Sequence, residues 1–131
     1  MKIELLDGLP FCRTTIKFRE EEITLERVLL DTGSGGTIFS SDKLLSIGMR
    51  LEREDSIRRI RGVGGTEFVF TKRLERLSVG ELQVTEFEIE VGAMNYGFEL
   101  DGIIGTDFLI QVSAVIDLAL LEIYVSGSKR A

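Results

Sequence analysis

The run Leu29-Leu30-Asp31-Thr32-Gly33-Ser34-Gly35 decides how this chain is read. Three consecutive apolar residues, Val28-Leu29-Leu30, suit a strand buried on both faces. That strand ends on a carboxylate, Asp31, and the glycines after it let backbone and ligand approach closely. A carboxylate so placed suits the activation of water. Alone, Asp-[Thr/Ser]-Gly is weak evidence, since average composition produces it in roughly one chain of this length in ten to twenty. The bland alternative is an Asx turn, in which Asp31 binds its own downstream amides and Ser34 solvates the turn.

Upstream, Thr15-Ile16-Lys17-Phe18 alternates polar and apolar, and Glu20-Glu21-Glu22 forms a charged turn before Ile23-Thr24-Leu25, predicting a hairpin that runs into the Asp31 strand. Downstream, Thr37-Ile38-Phe39-Ser40 predicts a short strand. Ser41 or Asp42 is placed to cap a short helix that runs to about Ile47 and stops at Gly48. From Ile57 to Phe70, two strand arms flank Gly62-Val63-Gly64-Gly65, where glycines permit the positive φ values of a tight tip; this predicts an exposed, mobile hairpin. A second hairpin turns at Gly80-Glu81, and the apolar phase then shifts to Phe87, Ile89 and Val91, as a bulge near Thr85 would cause. Gly105-Thr106-Asp107-Phe108-Leu109-Ile110 carries a capping Thr or Asp before apolar residues and predicts one or two helical turns. Ala114-Val115-Ile116 and Leu121 to Val125 predict closing strands.

Composition narrows the chemistry. The chain has 131 residues, 44% hydrophobic, within the usual size of one domain, and no low-complexity or linker-like stretch divides it, so one domain over residues 1–131 is expected. Sixteen Lys and Arg against 22 Asp and Glu give a net charge of -6, which disfavours nucleic acid and anionic membranes as partners. There is no histidine, so no His-dependent Ser or Cys triad can form, and a His/Cys zinc site would have only Cys12 to use. No EF-hand spacing and no P-loop occur, and carboxylate chemistry needing no metal or organic cofactor is the expectation. Cys12 reads as a small core residue. With no partner for a disulfide, and with charge interrupting the apolar character of both termini, a reducing, cytoplasmic setting without a signal or spanning segment is expected.

Three elements in order resemble the retropepsin-like aspartic proteases, the single-domain relatives of pepsin. Leu29-Leu30-Asp31-Thr32-Gly33 is similar to the strand end that carries the family's catalytic acid; Thr32 would lock the loops of two subunits together, with Gly33 and Ser34 completing the loop. Ile60-Arg61-Gly62-Val63-Gly64-Gly65 resembles the flap that closes over bound peptide. Ile103-Ile104-Gly105, followed by Thr106-Asp107-Phe108-Leu109, looks like the strand and short helix that support the catalytic loop. The resemblance spans Val28 to Ile110 and implies an all-β, closed or partly open acid-protease barrel with one or two short helices and a hairpin flap. It also places Leu100 to Ile104 along the substrate pockets.

Two departures stand out. Ser34 replaces the Ala usual in retroviral members, as in pepsin-like enzymes, and its hydroxyl is expected to donate to the carboxylate and shift activity toward acid. Gly35 and Gly36 replace acidic residues that grip substrate backbone in retroviral members.

Hydrolysis of this type needs two carboxylates, and the chain has one Asp-Thr-Gly. The resemblance therefore implies an aspartic endopeptidase acting on peptide or protein substrates as an isologous homodimer that pairs Asp31 with its symmetry mate. A non-catalytic module that keeps the fold for dimerisation or peptide binding is the alternative. A second rival is the phosphate-binding hairpin turn of actin and sugar kinases, which residues 31–37 also resemble. Arg58, Arg59 and Arg61 beside the flap tip would favour acidic peptides, although a solvated hairpin accounts for them as well.

Overall fold

The computed structural model describes residues 1–62, 65–94 and 99–127. Among these, the elements in chain order are β1 (Glu4–Leu6), β2 (Leu9–Phe18), β3 (Glu21–Leu30), β4 (Ile38–Ser40), α1 (Ser41–Leu44) with a 3-10 turn (Leu45–Ile47), β5 (Ile57–Gly62), β6 (Gly65–Val79), β7 (Leu82–Gly92), β8 (Gly102–Ile104), α2 (Thr106–Gln111), β9 (Ala114–Asp117) and β10 (Glu122–Val125).

Eight strands lie in the order β1-β2-β3-β8-β4-β7-β6-β5, and a further β2–β6 pairing closes the inner six into a ring. This ring-like sheet with two short helices is the all-β architecture expected from the sequence. Two of its seams, β3–β8 and β4–β7, are parallel. Strands paired this way are buried on both faces, which is why Val28-Leu29-Leu30 and Ile103-Ile104 are unbroken apolar runs. The ring encloses Ile16, Phe39, Leu44, Leu74, Leu77, Ile104 and Phe108, all fully buried, with Phe87 meeting Phe108 edge to face at 6.0 Å. Each such side chain contributes about 1.5–3 kcal/mol through removal from water. Residues 1–3 pair with β10 through Ile3 N–H to Leu121 O and Ile123 N–H to Met1 O, fastening the N-terminus to the closing hairpin.

Several local expectations need correction. The β2–β3 turn is the two-residue Arg19-Glu20 at φ 48° and 70°, so Glu21 and Glu22 belong to the strand. Two non-glycine residues hold left-handed backbone there because their contacts fix them: the Arg19 guanidinium stacks 4.7 Å from the Phe18 ring and grips Glu52, and the Glu20 amide donates to Glu75 at 2.7 Å. The shift of apolar phase in β7 is not a one-residue bulge. Leu74 pairs with Phe87 and Arg76 with Thr85, an equal step on both strands, so register is unchanged while Glu86 flips to φ 52°. The bulge lies instead in β3, where Cys12 pairs with Val28 but Thr14 pairs with Leu25, leaving Glu26 and Arg27 both facing outward. α1 has no side-chain cap and gives way after one turn to 3-10 geometry, ending at Gly48 with φ 74° as its glycine suggested.

One buried cation ties the loop ahead of β5 to the ring. Lys72, whose side chain is 3% exposed, places Nζ 2.6 Å from Glu52 and 2.7 Å from Asp55. Arg19 grips the same Glu52 with two hydrogen bonds of 2.6 and 3.0 Å. The Thr71 amide donates to Ser56 O immediately before β5 begins. The β5–β6 hairpin thus rises from a charged, hydrogen-bonded root.

Candidate active site

Asp31 follows the last residue of β3, and its amide donates to Ile104 O at 2.9 Å, carrying the β3–β8 pairing one step past the strand. Its Oδ1 accepts from the Gly33 amide at 2.9 Å while the Ser34 amide donates to Asp31 O at 3.1 Å. The Asx turn set against a functional reading is therefore present, and the side chain it orients stays only partly buried, with Thr32 and Gly33 exposed beside it. Ser34 does not act as expected: its hydroxyl donates to Gly36 O at 2.8 Å, within the loop.

The rest of the loop is braced by the segment after β8. Ser34 O accepts from both the amide and the hydroxyl of Thr106, at 2.8 and 3.2 Å. The Thr37 hydroxyl donates to Asp107 Oδ1 at 2.7 Å and accepts from the Gly105 amide at 3.1 Å, and the Thr37 amide donates to Asp107 Oδ2 at 3.2 Å. Thr106 and Asp107, read from sequence as helix caps, are thus loop braces first, and Gly105 takes the N-cap position without a side-chain cap. A Cβ on Gly105 would lie 2.3 Å from Gly36 O and 2.7 Å from Ser34 O, so this position admits no side chain while the loop keeps its path. Ile103 and Ile104 pair with Leu29 and Leu30 and form the floor beneath.

Behind the loop lie Glu90, Glu88 and Arg58. Burial lifts the Glu90 carboxyl above its usual value of 4.5; Arg58 opposes the shift, and Asp107 and Glu88 add to it. Arg58 is engaged there, 3.5 Å from Glu88 and 3.9 Å from Glu90, so this arginine is not a free anchor for acidic peptides.

The flap candidate is the β5–β6 hairpin, laddered from Ile57↔Phe70 to Gly62↔Gly65. Val63 and Gly64, assigned to its tip from sequence, lie outside the described residues. Of Arg61, Gly62 and Gly65, only the backbone pairing is described. Thr37 and Glu90 are site residues that sequence reasoning did not single out; Asp107 was read there as a helix cap and as part of the short helix behind the loop, not as the partner of Thr37. Among the described residues, no group of three or more His, Cys, Asp or Glu is placed to hold a metal ion.

The phosphate-turn rival fails on topology. Such a turn joins two adjacent antiparallel strands, whereas β8 lies between β3 and β4 here. A family model described as aspartyl protease matches residues 15–108, from β2 through the loop-bracing segment. The chain belongs to the aspartyl protease family, with the retropepsin-like character its motifs suggested. No curated protein matches it. The match to the aspartyl proteases takes in Asp31, the β5–β6 hairpin and Ile103-Ile104-Gly105 together. No helix among the described residues is long and apolar enough to cross a membrane.

Proposed function

We propose that this chain is an aspartic endopeptidase that works as a homodimer, with Asp31 of each subunit meeting across a twofold axis. The observation that carries this reading is the bracing of a single Asp-Thr-Gly loop, in which the Asp31 carboxylate is fixed by the Gly33 amide while Thr32 beside it stays exposed. A loop held this firmly by Thr106, Asp107 and Gly105 presents its acid outward for a purpose other than packing.

One chain supplies one such acid, and the chemistry needs two in different protonation states. Two carboxylates held close cannot both ionise cheaply, so the pair shares one proton and titrates in two coupled steps. The ionised Asp31 takes a proton from a water, whose oxygen attacks the scissile carbonyl carbon. The protonated Asp31 gives its proton to the carbonyl oxygen, forming a neutral tetrahedral diol. The Asp31 that is now protonated then gives its proton to the amide nitrogen while the ionised one takes a proton from a diol hydroxyl, so that the C–N bond breaks, the carbonyl re-forms and the pair again holds one shared proton. Substrate would lie extended between the two Asp31 loops and the β5–β6 hairpins, held by main-chain hydrogen bonds. The same chemistry asks for no metal or organic cofactor, and the cytoplasm remains the expected setting.

The test is cleavage of an unbiased peptide mixture from about pH 3 to 7, the range over which coupled carboxylates titrate, read by mass spectrometry for wild type and Asp31→Asn. Cuts that vanish in the variant support the proposal. A folded dimer that cuts nothing at any pH would return the fold to the role of a peptide-binding or dimerising module.

A further inference from the structure

Glu67 stands directly across from Ile60 in the β5–β6 ladder, and strand alternation puts it on the same face as Val69, which is 1% exposed, and opposite to Phe68, which is 69% exposed. That inner face meets a small apolar cluster containing Ile38 and Val69, against which Ile60, Leu29 and Ile103 pack. Leu29 and Ile103 are paired with each other one residue before Leu30 and Ile104, the pair that leads into Asp31 and Gly105. The cluster therefore connects the hairpin to the base of the Asp31 loop, and Glu67 sits at its edge.

Its carboxylate is unusual in one respect. Oε1 is shut off from solvent and has no hydrogen-bond partner among the described residues. Asp101 Oδ1 is similarly buried but has Lys43 Nζ 3.6 Å away, whereas no cation pairs with Glu67 among the described residues. The absence of a side chain on the next strand makes room for it: a Cβ on Gly92 would lie 2.7 Å from Glu67 Oε1, 2.8 Å from Val69 Cγ1 and 3.3 Å from Ile38 Cδ1. A buried carboxylate oxygen without a partner is costly, and native structures keep few of them without a use.

We infer that Glu67 selects a basic side chain in the peptide, so that a Lys or Arg lays its methylene stem on the partly buried Leu29, Ile60 and Ile103 beside the cluster and pairs its head group with this carboxylate. The inference rests on the protease reading for its site and adds the substrate class. Partly buried apolar side chains beside a carboxylate match the two parts of a Lys or Arg side chain. A site built around a buried polar group discriminates strongly against the analogue lacking the matching group, because that group is then left unpaired.

The test uses paired peptides that differ only as Lys against norleucine or Arg against citrulline. Their binding to the non-hydrolysing Asp31→Asn protein is measured by fluorescence anisotropy, alongside the cleavage products of wild type. Cuts enriched for Lys or Arg at one position near the scissile bond are expected, with the charged peptide binding roughly ten-fold or more tightly than its neutral twin. Adding Glu67→Gln should bring that ratio close to one, and Glu67→Lys should turn the preference toward Asp and Glu, in variants whose circular dichroism matches the parent. Cuts without basic enrichment, or a ratio that survives Glu67→Gln, overturn the inference and leave the protease reading standing. A Glu67-dependent ratio with no cuts at all does the reverse. Failure to bind either twin, with no cuts, overturns both.

Discussion

Thr37 and Asp107 are joined twice, by the Thr37 hydroxyl to Oδ1 at 2.7 Å and by the Thr37 amide to Oδ2 at 3.2 Å, across 70 residues of sequence. Oδ1 also accepts from the Phe108 amide at 2.8 Å, so one carboxylate holds both the far end of the Asp31 loop and the first turn of α2. Hydrogen bonds to a charged group contribute about 1.5–3 kcal/mol each, and a partner left unpaired adds to the loss. Asp107→Ala should therefore lower stability in urea unfolding by about 3 kcal/mol, and Thr37→Val by about 2 kcal/mol. Thr37→Ser, which keeps the hydroxyl, should recover most of the difference. If Thr37→Val unfolded at the same urea concentration as wild type, the brace would have no energetic weight.

Gly105 provides a sharper contrast. Its missing Cβ is what lets Gly36 O and Ser34 O approach, whereas a Cβ on Gly35, in the same loop, would meet nothing within 4 Å. Gly105→Ala has backbone rather than a flexible side-chain tip to displace, and should cost about 3 kcal/mol or more. Gly35→Ala should stay within about 0.5 kcal/mol. Thermal melts of the two variants beside wild type separate these cases, and equal melting temperatures would show that the loop can move aside.

Much of this was legible locally. The apolar run into Asp31, the arms of the β5–β6 hairpin, the stop at Gly48 and the two closing strands all follow from period and punctuation, which act over a few residues. The brace was not. Thr106 and Asp107 carry the signature of a helix start, and a local rule assigned them to capping, because nothing nearby announces a threonine 70 residues away. Lys72 is a similar case: in Phe70-Thr71-Lys72-Arg73 it looks like one more solvated charge, and only the fold brings Glu52 and Asp55 to bury it. The partnerless oxygen of Glu67 is likewise a property of the closed ring, not of the strand that carries it.

The Lys72 cluster sets how the fold meets acid. The Arg19 and Lys72 side-chain hydrogen bonds hold the Glu52 carboxyl down from 4.5 to about 2. Because the folded value lies below the unfolded one, ionised Glu52 stabilises the fold at all pH above about 4.5, and this contribution is lost as pH falls from 4.5 toward 2. Glu52→Gln should be less stable than wild type at pH 7, and the gap should narrow across that acid window. Lys72→Met, which leaves Asp55 facing an apolar group, should cost about 3 kcal/mol at neutral pH. Denaturant midpoints of wild type and Glu52→Gln measured from neutral to acid pH decide it, and parallel curves would remove Glu52 from the account.

Glu90 has the opposite sign. Its carboxyl is raised by burial behind the Asp31 loop, so the folded chain binds its proton more readily than the unfolded chain does. Ionised Glu90 therefore weakens the fold at neutral pH, and the penalty is relieved as pH falls through the raised value toward 4.5. Replacing the carboxyl with an amide of the same shape removes the charge at every pH, although it also gives up the 3.9 Å pairing with Arg58. Burial being the largest cause, its relief should win: Glu90→Gln should melt higher than wild type at pH 7, with the difference closing as pH approaches 4.5. A variant that melts lower than wild type at pH 7 would mean that Arg58 outweighs burial, and that the ion pairs behind the loop hold it in place.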